Sequence, residues 1–338
     1  MKSYQCFARI VHIERRSLPT HFSIEGYFRR VRDHLAGRAD VTLYQVPCYS
    51  QGFWGRVRNC LGAFRNQQDV NHVTGDIHYV TCFLSRRRTL LTIHDCQILD
   101  RLTGWKRVAV RLFWYSLPVR HAIRITVNSH ETKRKLLREV RYPPDRIHVI
   151  PVSVSELFRP WPKEFDADCP RILQIGTKAN KNVHRVVRAL SGLSCRLDIV
   201  GPIDDELQEL LVDCRVSYQC FGRLTDEEIV LRYQLADVIS FVSIHEGFGM
   251  PIIEAQSVER VCVTSNCSSM PEVAGSGACL VDPFDVMSIR AGFVRVITDP
   301  AFRKSLIEAG RRNRERFDSH RIANAFLELY REVFEESK

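Results

Sequence analysis

From residue 171 onward the chain alternates between two hydrophobic periods, and nothing else in it limits the fold as strongly. RILQIG is a short apolar run closed by glycine, and KNVHRVVRAL then sets Val183, Val186, Val187 and Leu190 at helical spacing. RLDIVG reads as a strand, and DDELQELLVDC as a helix with acids in its first turn. SYQCFG reads as a strand, and TDEEIVLRYQLA as a helix with Thr225 as its N-cap. VISFVS, PIIEAQSV and VCVTS continue the series. Strands separated by helices of this length predict a parallel sheet covered on both faces.

The first half follows the same logic more loosely. SIEGYFRRVRDHL places Ile24, Tyr27, Phe28, Val31 and Leu35 on one helical face. VTLYQV, DIHYV, TLLTIHD, RITVNS and RIHVIP read as strands, and ETKRKLLREV as a basic helix. Residues 156–170, ELFRPWPKEFDADCP, are proline-rich and aperiodic, which marks a linker. The chain closes on RIANAFLELYREVF, a long amphipathic helix. A length of 338 residues exceeds what one core usually serves, so two domains are expected. We place them at 1–160 and 161–318, with 319–338 packing back toward the first. The fold class is α/β, with two doubly wound Rossmann-like domains facing across a cleft, where a ligand is expected.

Composition excludes several classes. The N-terminal MKSYQCFARIVHIERRS has no signal-peptide core, and no run reaches the roughly 18 apolar residues of a membrane span. A cytoplasmic protein is expected. The twelve cysteines are scattered without CxxC spacing, so neither a metal nor a disulfide framework is expected. Up to residue 160 there are 27 Lys and Arg against 12 Asp and Glu, and beyond it 22 against 27. One half is therefore strongly basic and suits an anionic partner. No nucleic-acid module accompanies that charge, so no nucleic acid is expected.

The stretch HEGFGMPIIEA, 245–255, sets two glycines, a proline and two carboxylates directly after an apolar run. Gly247-Phe248-Gly249 lets backbone approach a ligand closely, and Pro251 suits the start of a helix. Free N–H groups of that first turn favour an anion. Glu246 and Glu254 would repel a phosphate, but they suit hydroxyl groups beside one. A ligand with hydroxyls at both ends and phosphate between them is a nucleotide sugar. GTKANKN, 176–182, supplies Thr177, Lys178 and Lys181 at a second strand-to-helix turn. Neither loop is a GxGxxG or Walker sequence.

EGFGMPIIEA, followed by VTSNCSSMPEVAG and LVDP, resembles the family-4 (group 1) glycosyltransferases of GT-B fold. ILQIGTKANKN, FGRLTDEEIVLRYQLADV, RIHVIP and TIHDC are similar to that family in the same order. The resemblance implies a retaining, metal-independent hexosyltransferase with no cofactor. Its donor would be a nucleotide sugar, most often a UDP- or GDP-sugar, and its acceptor a glycan or lipid-linked glycan in surface polysaccharide biosynthesis. By the same resemblance Glu246, His94 and Lys181 are catalytic. Glu254 binds the ribose, and Gly247, Phe248, Gly249 and Met250 hold phosphate and sugar. Thr177 and Lys178 flank the diphosphate, and Gly222 and Arg223 contact the base. A GT-B protein that binds a glycan or partner without catalysis is the alternative.

Some positions depart from the family. Glu259 stands where a glycine is usual, Val152 where an asparagine is, and Lys178 near where an arginine is common. RRSLPTHFSIEGYF replaces an N-terminal glycine-rich loop. Asp76 and His78 could line the acceptor side or serve as structural hydrogen-bonding groups. KRVAVRLFWYSLPVR, 106–120, mixes four basic residues with Phe113, Trp114 and Tyr115. It fits either a basic-faced core helix or an interfacial helix on an anionic membrane, which would make the protein peripheral.

Overall fold

The computed structural model describes residues 8–17 and 23–338. The chain forms two compact units. One runs to Ser153 and takes in Ser319–Lys338, and the other is Val154–Asp318.

The first unit holds six parallel strands: β1 (Arg9–Glu14), β2 (Asp40–Gln45), β3 (Val70–Val73), β4 (Thr89–Ile93), β5 (Arg124–Val127) and β6 (Ile147–Val149). Their order is β2-β1-β3-β4-β5-β6. The expected helix Ser23–Leu35 forms, and it buries Tyr27, Phe28, Val31 and Leu35. The last helix, Ser319–Glu336, belongs to this unit and brings Phe326 to 5.7 Å from the Phe28 ring centre.

A chain of polar side chains runs through this sheet. Arg32 Nη1 donates to His12 Nδ1 at 3.4 Å, so neutral His12 carries its proton on Nε2. That proton goes to the Tyr330 hydroxyl at 2.8 Å, which donates to His72 Nδ1 at 2.8 Å. His72 Nε2 donates to Thr92 Oγ1 at 2.7 Å, and Thr92 to Thr126 at 2.5 Å. Burial holds both imidazoles well below their ordinary pKa, with the second ring adding to the effect on His12.

Two strands escape the sequence reading here. β1 and β3 bury His12, Glu14, Asn71 and His72 among their apolar residues, so neither shows a clean apolar pattern. DIHYV is not a strand. His78–Phe83 is a run of 3-10 turns, and buried His78 donates from Nδ1 to the Trp114 carbonyl at 2.9 Å. Asp76 pairs with Arg15 at 2.9 Å.

The second unit is also a six-stranded parallel sheet: β7 (Arg171–Ile175), β8 (Arg196–Val200), β9 (Ser217–Phe221), β10 (Val238–Phe241), β11 (Val261–Ser265) and β12 (Cys279–Val281). The order β12-β11-β10-β7-β8-β9 reverses direction between β7 and β10. Open α/β sheets place ligands at such a reversal, beyond the carboxyl ends of the strands. Thr225 caps the helix Asp226–Leu235 in a reciprocal box: its hydroxyl accepts from Glu228 N at 3.2 Å, and Glu228 accepts from Thr225 N at 2.8 Å.

The division falls at 153/154, so the proline-rich stretch belongs with the second unit, as do residues 154–160, which the sequence reading put with the first half. Two buried charges fasten this stretch. Asp237 accepts from Arg171 N at 2.9 Å and Asp166 N at 3.2 Å and pairs with Lys163. Arg260 donates to the carbonyls of Trp161 (2.9 Å), Gln234 (2.7 Å) and Ala236 (2.8 Å). A linker held by side chains far along the sequence shows no period of its own.

Candidate active site

At the sheet reversal of the second unit, the loops after β7 and β10 meet. Gly176 ends β7 with φ +80, in the region that favours glycine. A Cβ there would stand 3.3 Å from Lys181 Cε, so glycine leaves room for the lysine to fold back over the turn. A 3-10 turn, Ala179–Lys181, then leads to Asn182 in left-handed conformation, from which the helix Val183–Leu190 starts. Asn182 anchors the turn by donating to the Pro283 carbonyl at 2.7 Å.

Glu246 arrives from the other side. Lys181 Nζ donates to Glu246 Oε1 at 2.8 Å and lies 4.7 Å from the centre of the Phe241 ring. Asn180 joins the two loops. Its Nδ2 donates to Glu246 Oε1 at 2.9 Å and to the His245 carbonyl at 3.2 Å, and its carbonyl accepts from Ile244 N at 2.9 Å. Ser268 accepts from Glu246 N at 3.2 Å and donates to the Glu246 carbonyl at 2.8 Å. Ser269 donates to the Phe248 carbonyl at 2.6 Å. Lys181 and Glu246 are both partly accessible, at 19% and 15% of their side-chain surface. An ammonium and a carboxylate at the mouth of a sheet can thus separate onto a ligand carrying both phosphate and hydroxyls.

The helix Met250–Ser257 starts at Gly249, whose φ is +121. A Cβ there would press on Ile252 at 3.2 Å and Phe241 at 3.3 Å, so glycine is required by space as well as by conformation. Phe248 is buried against Phe317, with ring centres 5.7 Å apart. Its side chain is core, and only its backbone can serve a ligand. Glu254 lies one turn into this helix and accepts from the Tyr233 hydroxyl at 2.6 Å. Tyr233 is fully buried, and burial together with the adjacent carboxylate pushes its pKa well up, so it stays a donor.

The remaining expected residues fall in both units. Thr177 donates to the Pro202 carbonyl, and Gly201 (φ +134) makes room for its hydroxyl, where a Cβ would come within 3.1 Å. That hydroxyl is committed to the neighbouring loop. Lys178 is exposed. Gly222 and Arg223 are exposed just after the edge strand β9. His94 belongs to the first unit, after β4, where Nε2 donates to the Thr74 carbonyl at 2.8 Å and its own carbonyl accepts from Asn128 at 2.9 Å. A carbonyl only accepts, so the proton is on Nε2 and Nδ1 is the acceptor. Among the described residues no cluster of three His, Cys, Asp or Glu side chains is arranged to hold a metal.

Asn180, Ser268 and Tyr233 were not singled out from the sequence. Asn180 and Ser268 stand inside stretches already noted, GTKANKN and VTSNCSSMPEVAG, but hydrogen bonding between loops has no sequence period. Tyr233 reads as an ordinary apolar position on its helix.

Two parallel six-stranded sheets in one chain, the second reversing at a glycine-bordered polar loop pair, make this a protein of GT-B fold. The family description "Glycosyl transferases group 1" matches residues 159–313, and "Glycosyltransferase Family 4" matches 17–155. The chain belongs to the family-4, group 1 glycosyltransferases. It is 26% identical over 270 residues to the O-antigen chain mannosyltransferase B of Escherichia coli, covering 72% of this chain and 70% of that one. It is 32% identical over 139 residues to the serotype-specific mannosyltransferase WbdA of E. coli, covering 37% of this chain but only 17% of that much longer relative. The crystal structure of Anabaena HepE in complex with UDP and glucose superposes with a TM-score of 0.78 at 16% identity, over 96% of this chain and 100% of that one. No helix among the described residues is long and apolar enough to cross a membrane.

Proposed function

We propose that the protein moves a sugar from a nucleotide-diphospho-sugar to a hydroxyl of a glycan or lipid-linked glycan, in the building of a surface polysaccharide. The Lys181–Glu246 pair at the sheet reversal carries this reading. The mannosyltransferase relatives from E. coli support a polysaccharide acceptor, and HepE with UDP and glucose supports a nucleotide-sugar donor. UDP- and GDP-sugars are the donors to try first.

In this mechanism the donor diphosphate takes the Lys181 ammonium away from Glu246. The bond between the anomeric carbon and the diphosphate oxygen breaks, and its electrons leave with the diphosphate. Lys181 and the N–H groups at Gly249 and Met250 stabilise that developing charge. Glu246, released from Lys181 but still held by Asn180, accepts hydrogen bonds from the sugar hydroxyls. Glu254, fixed by Tyr233, accepts from the ribose. The acceptor oxygen bonds the anomeric carbon from the face the diphosphate leaves. Its proton passes to a phosphate oxygen, which retains configuration and requires neither metal nor side-chain nucleophile.

Assay of sugar transfer from a panel of nucleotide sugars, with EDTA present, tests the reading. Transfer from one donor, abolished by Glu246→Gln in a folded protein, is expected. Equal transfer by that variant would overturn the assignment of Glu246, and no transfer or hydrolysis from any donor would overturn the reaction.

A further inference from the structure

The first unit carries its own exposed apolar surface, made by two neighbouring helices. On the helix Phe53–Arg65, Trp54 is 76% exposed, and Phe53, Leu61 and Phe64 are exposed with it. Trp54, Arg58, Leu61 and Arg65 fall at i, i+4, i+7 and i+11, one stripe of alternating apolar and basic side chains. The second helical run spans Gly104–Arg120 and contains one π-helical turn, Arg111–Ser116. Here Trp105 is 75% exposed, and Val108, Leu112 and Phe113 lie open beside Lys106 and Arg111. Of the aromatic triplet noted in the sequence, only Phe113 faces out. Tyr115 is buried, and Trp114 packs on Tyr79, with ring centres 5.0 Å apart.

The two helices meet through the turn His78–Phe83. Asn59 of the first donates to the Tyr79 hydroxyl at 2.9 Å, Tyr79 packs at a tilt on Trp114 of the second, and the Arg56 guanidinium lies 5.2 Å from the Trp114 ring. No Asp or Glu occurs between Asp40 and Asp69, nor between Asp100 and Glu131. Arg56, Arg58, Arg65, Lys106, Arg111 and Arg120 are all exposed there.

We propose that this two-helix surface docks on an anionic lipid bilayer. Exposed tryptophans suit the headgroup boundary, the aliphatic residues between them sink below it, and arginines reach back to lipid phosphates. A basic surface for nucleic acid would gain nothing from Leu61, Val108 and Leu112, which cannot stack on bases. The exposed basic side chains outnumber Glu139, the carboxylate paired with Arg107 on the second helix, so a second copy of the same surface would repel the first. The proposal needs no transfer chemistry, because lipid binding is read without any donor.

The test is co-sedimentation of the full chain with vesicles of phosphatidylcholine alone and of equimolar phosphatidylcholine and phosphatidylglycerol, at low and high salt. Binding to the anionic vesicles only, weakened by salt, is expected. Each basic residue at such a surface contributes about fivefold, so Arg58→Gln with Arg111→Gln should lower the partition coefficient roughly thirtyfold. Trp54→Ser with Trp105→Ser should lower it comparably with an unchanged melting curve. No binding to anionic vesicles at low salt would overturn the proposal. So would full binding by the tryptophan variant, which would indicate bare charge. A dimer of the parent that the tryptophan variant loses would overturn it in favour of self-association.

Discussion

The two units share a design and differ in where their polar residues sit. Each is a six-stranded parallel sheet whose chain reverses direction once, between β1 and β3 in the first and between β7 and β10 in the second. In the second, Lys181, Glu246 and Asn180 gather beyond the strand ends, partly open to solvent. In the first, the described residues at the reversal are paired with one another: Arg15 bonds Glu25 at 2.7 Å and the half-exposed Asp76 at 2.9 Å. The first unit instead sinks His12 and His72 into the sheet, each bonded to Tyr330. The same architecture thus leaves a partly accessible charged pair beyond the strand ends in one unit and buries two imidazoles on a shared tyrosine in the other.

The largest expected effect lies in the second unit. Glu246→Gln keeps the size of the side chain but loses its charge, and a lost electrostatic contact of this kind costs about 10²–10³ in kcat. Steady-state kinetics beside a melting curve would show a fall in rate without a comparable fall in stability. Comparable falls in both would make Glu246 a structural residue and erase the contrast between the units.

The next effect belongs to the first unit and depends on acid. His12 and His72 have folded pKa values pushed well below 6.5 by burial, so the unfolded chain binds their protons first. Stability contributed by the neutral rings is present above about pH 6.5 and is lost as pH falls below it, by up to about 1.4 kcal/mol per pH unit for each ring. Hydrogen exchange in the helix Ser319–Glu336, corrected for intrinsic rates, should show its opening free energy falling between pH 7 and 5. A pH-independent opening would mean the imidazoles are not the buried acceptors and donors described above.

A smaller change comes from Tyr330→Phe, which leaves one nitrogen on each of His12 and His72 without its partner. Buried unsatisfied groups cost about 1–3 kcal/mol, and transfer activity per folded molecule should not change. Denaturant titration and an activity assay at low temperature read the two quantities separately. The smallest effect is expected from Thr177→Ala. Its hydroxyl bonds the Pro202 carbonyl, so about 1 kcal/mol of stability should go and donor affinity should stay within a few-fold. A large loss of affinity would return Thr177 to the ligand's own contacts.

The comparison also explains what the sequence made legible. Strands of the second unit with apolar interiors, RILQI, RLDIV and VISF, show in the sequence, as does Thr225 as a cap, because each depends on neighbours along the chain. Lys181, Glu246 and Glu254 were legible as residue types at strand-to-helix turns and by family resemblance. Their partners Asn180, Ser268 and Tyr233 were not, since those bonds cross 21 to 66 residues of sequence. β1 and β3 were hidden for a related reason: His12, Asn71 and His72 look polar until a tyrosine more than 250 residues away satisfies two of them. Glu259, where the family usually has glycine, keeps the left-handed turn at φ 61, and its carboxylate holds Arg311 at 2.6 and 2.7 Å. That substitution changes the residue and preserves the turn.

The proposed reaction requires the mouth of the second unit to bind a nucleoside diphosphate through Lys181. Melting curves of the parent and of Lys181→Ala, each with UDP, GDP and their sugars in EDTA, test it most directly. A ligand that binds only the folded state raises the transition, by about 2.7 kcal/mol of added stability at a hundredfold excess over Kd. A shift with one nucleotide family in the parent, nearly lost in Lys181→Ala, is expected. An equal shift in both proteins, or none in either, would contradict it.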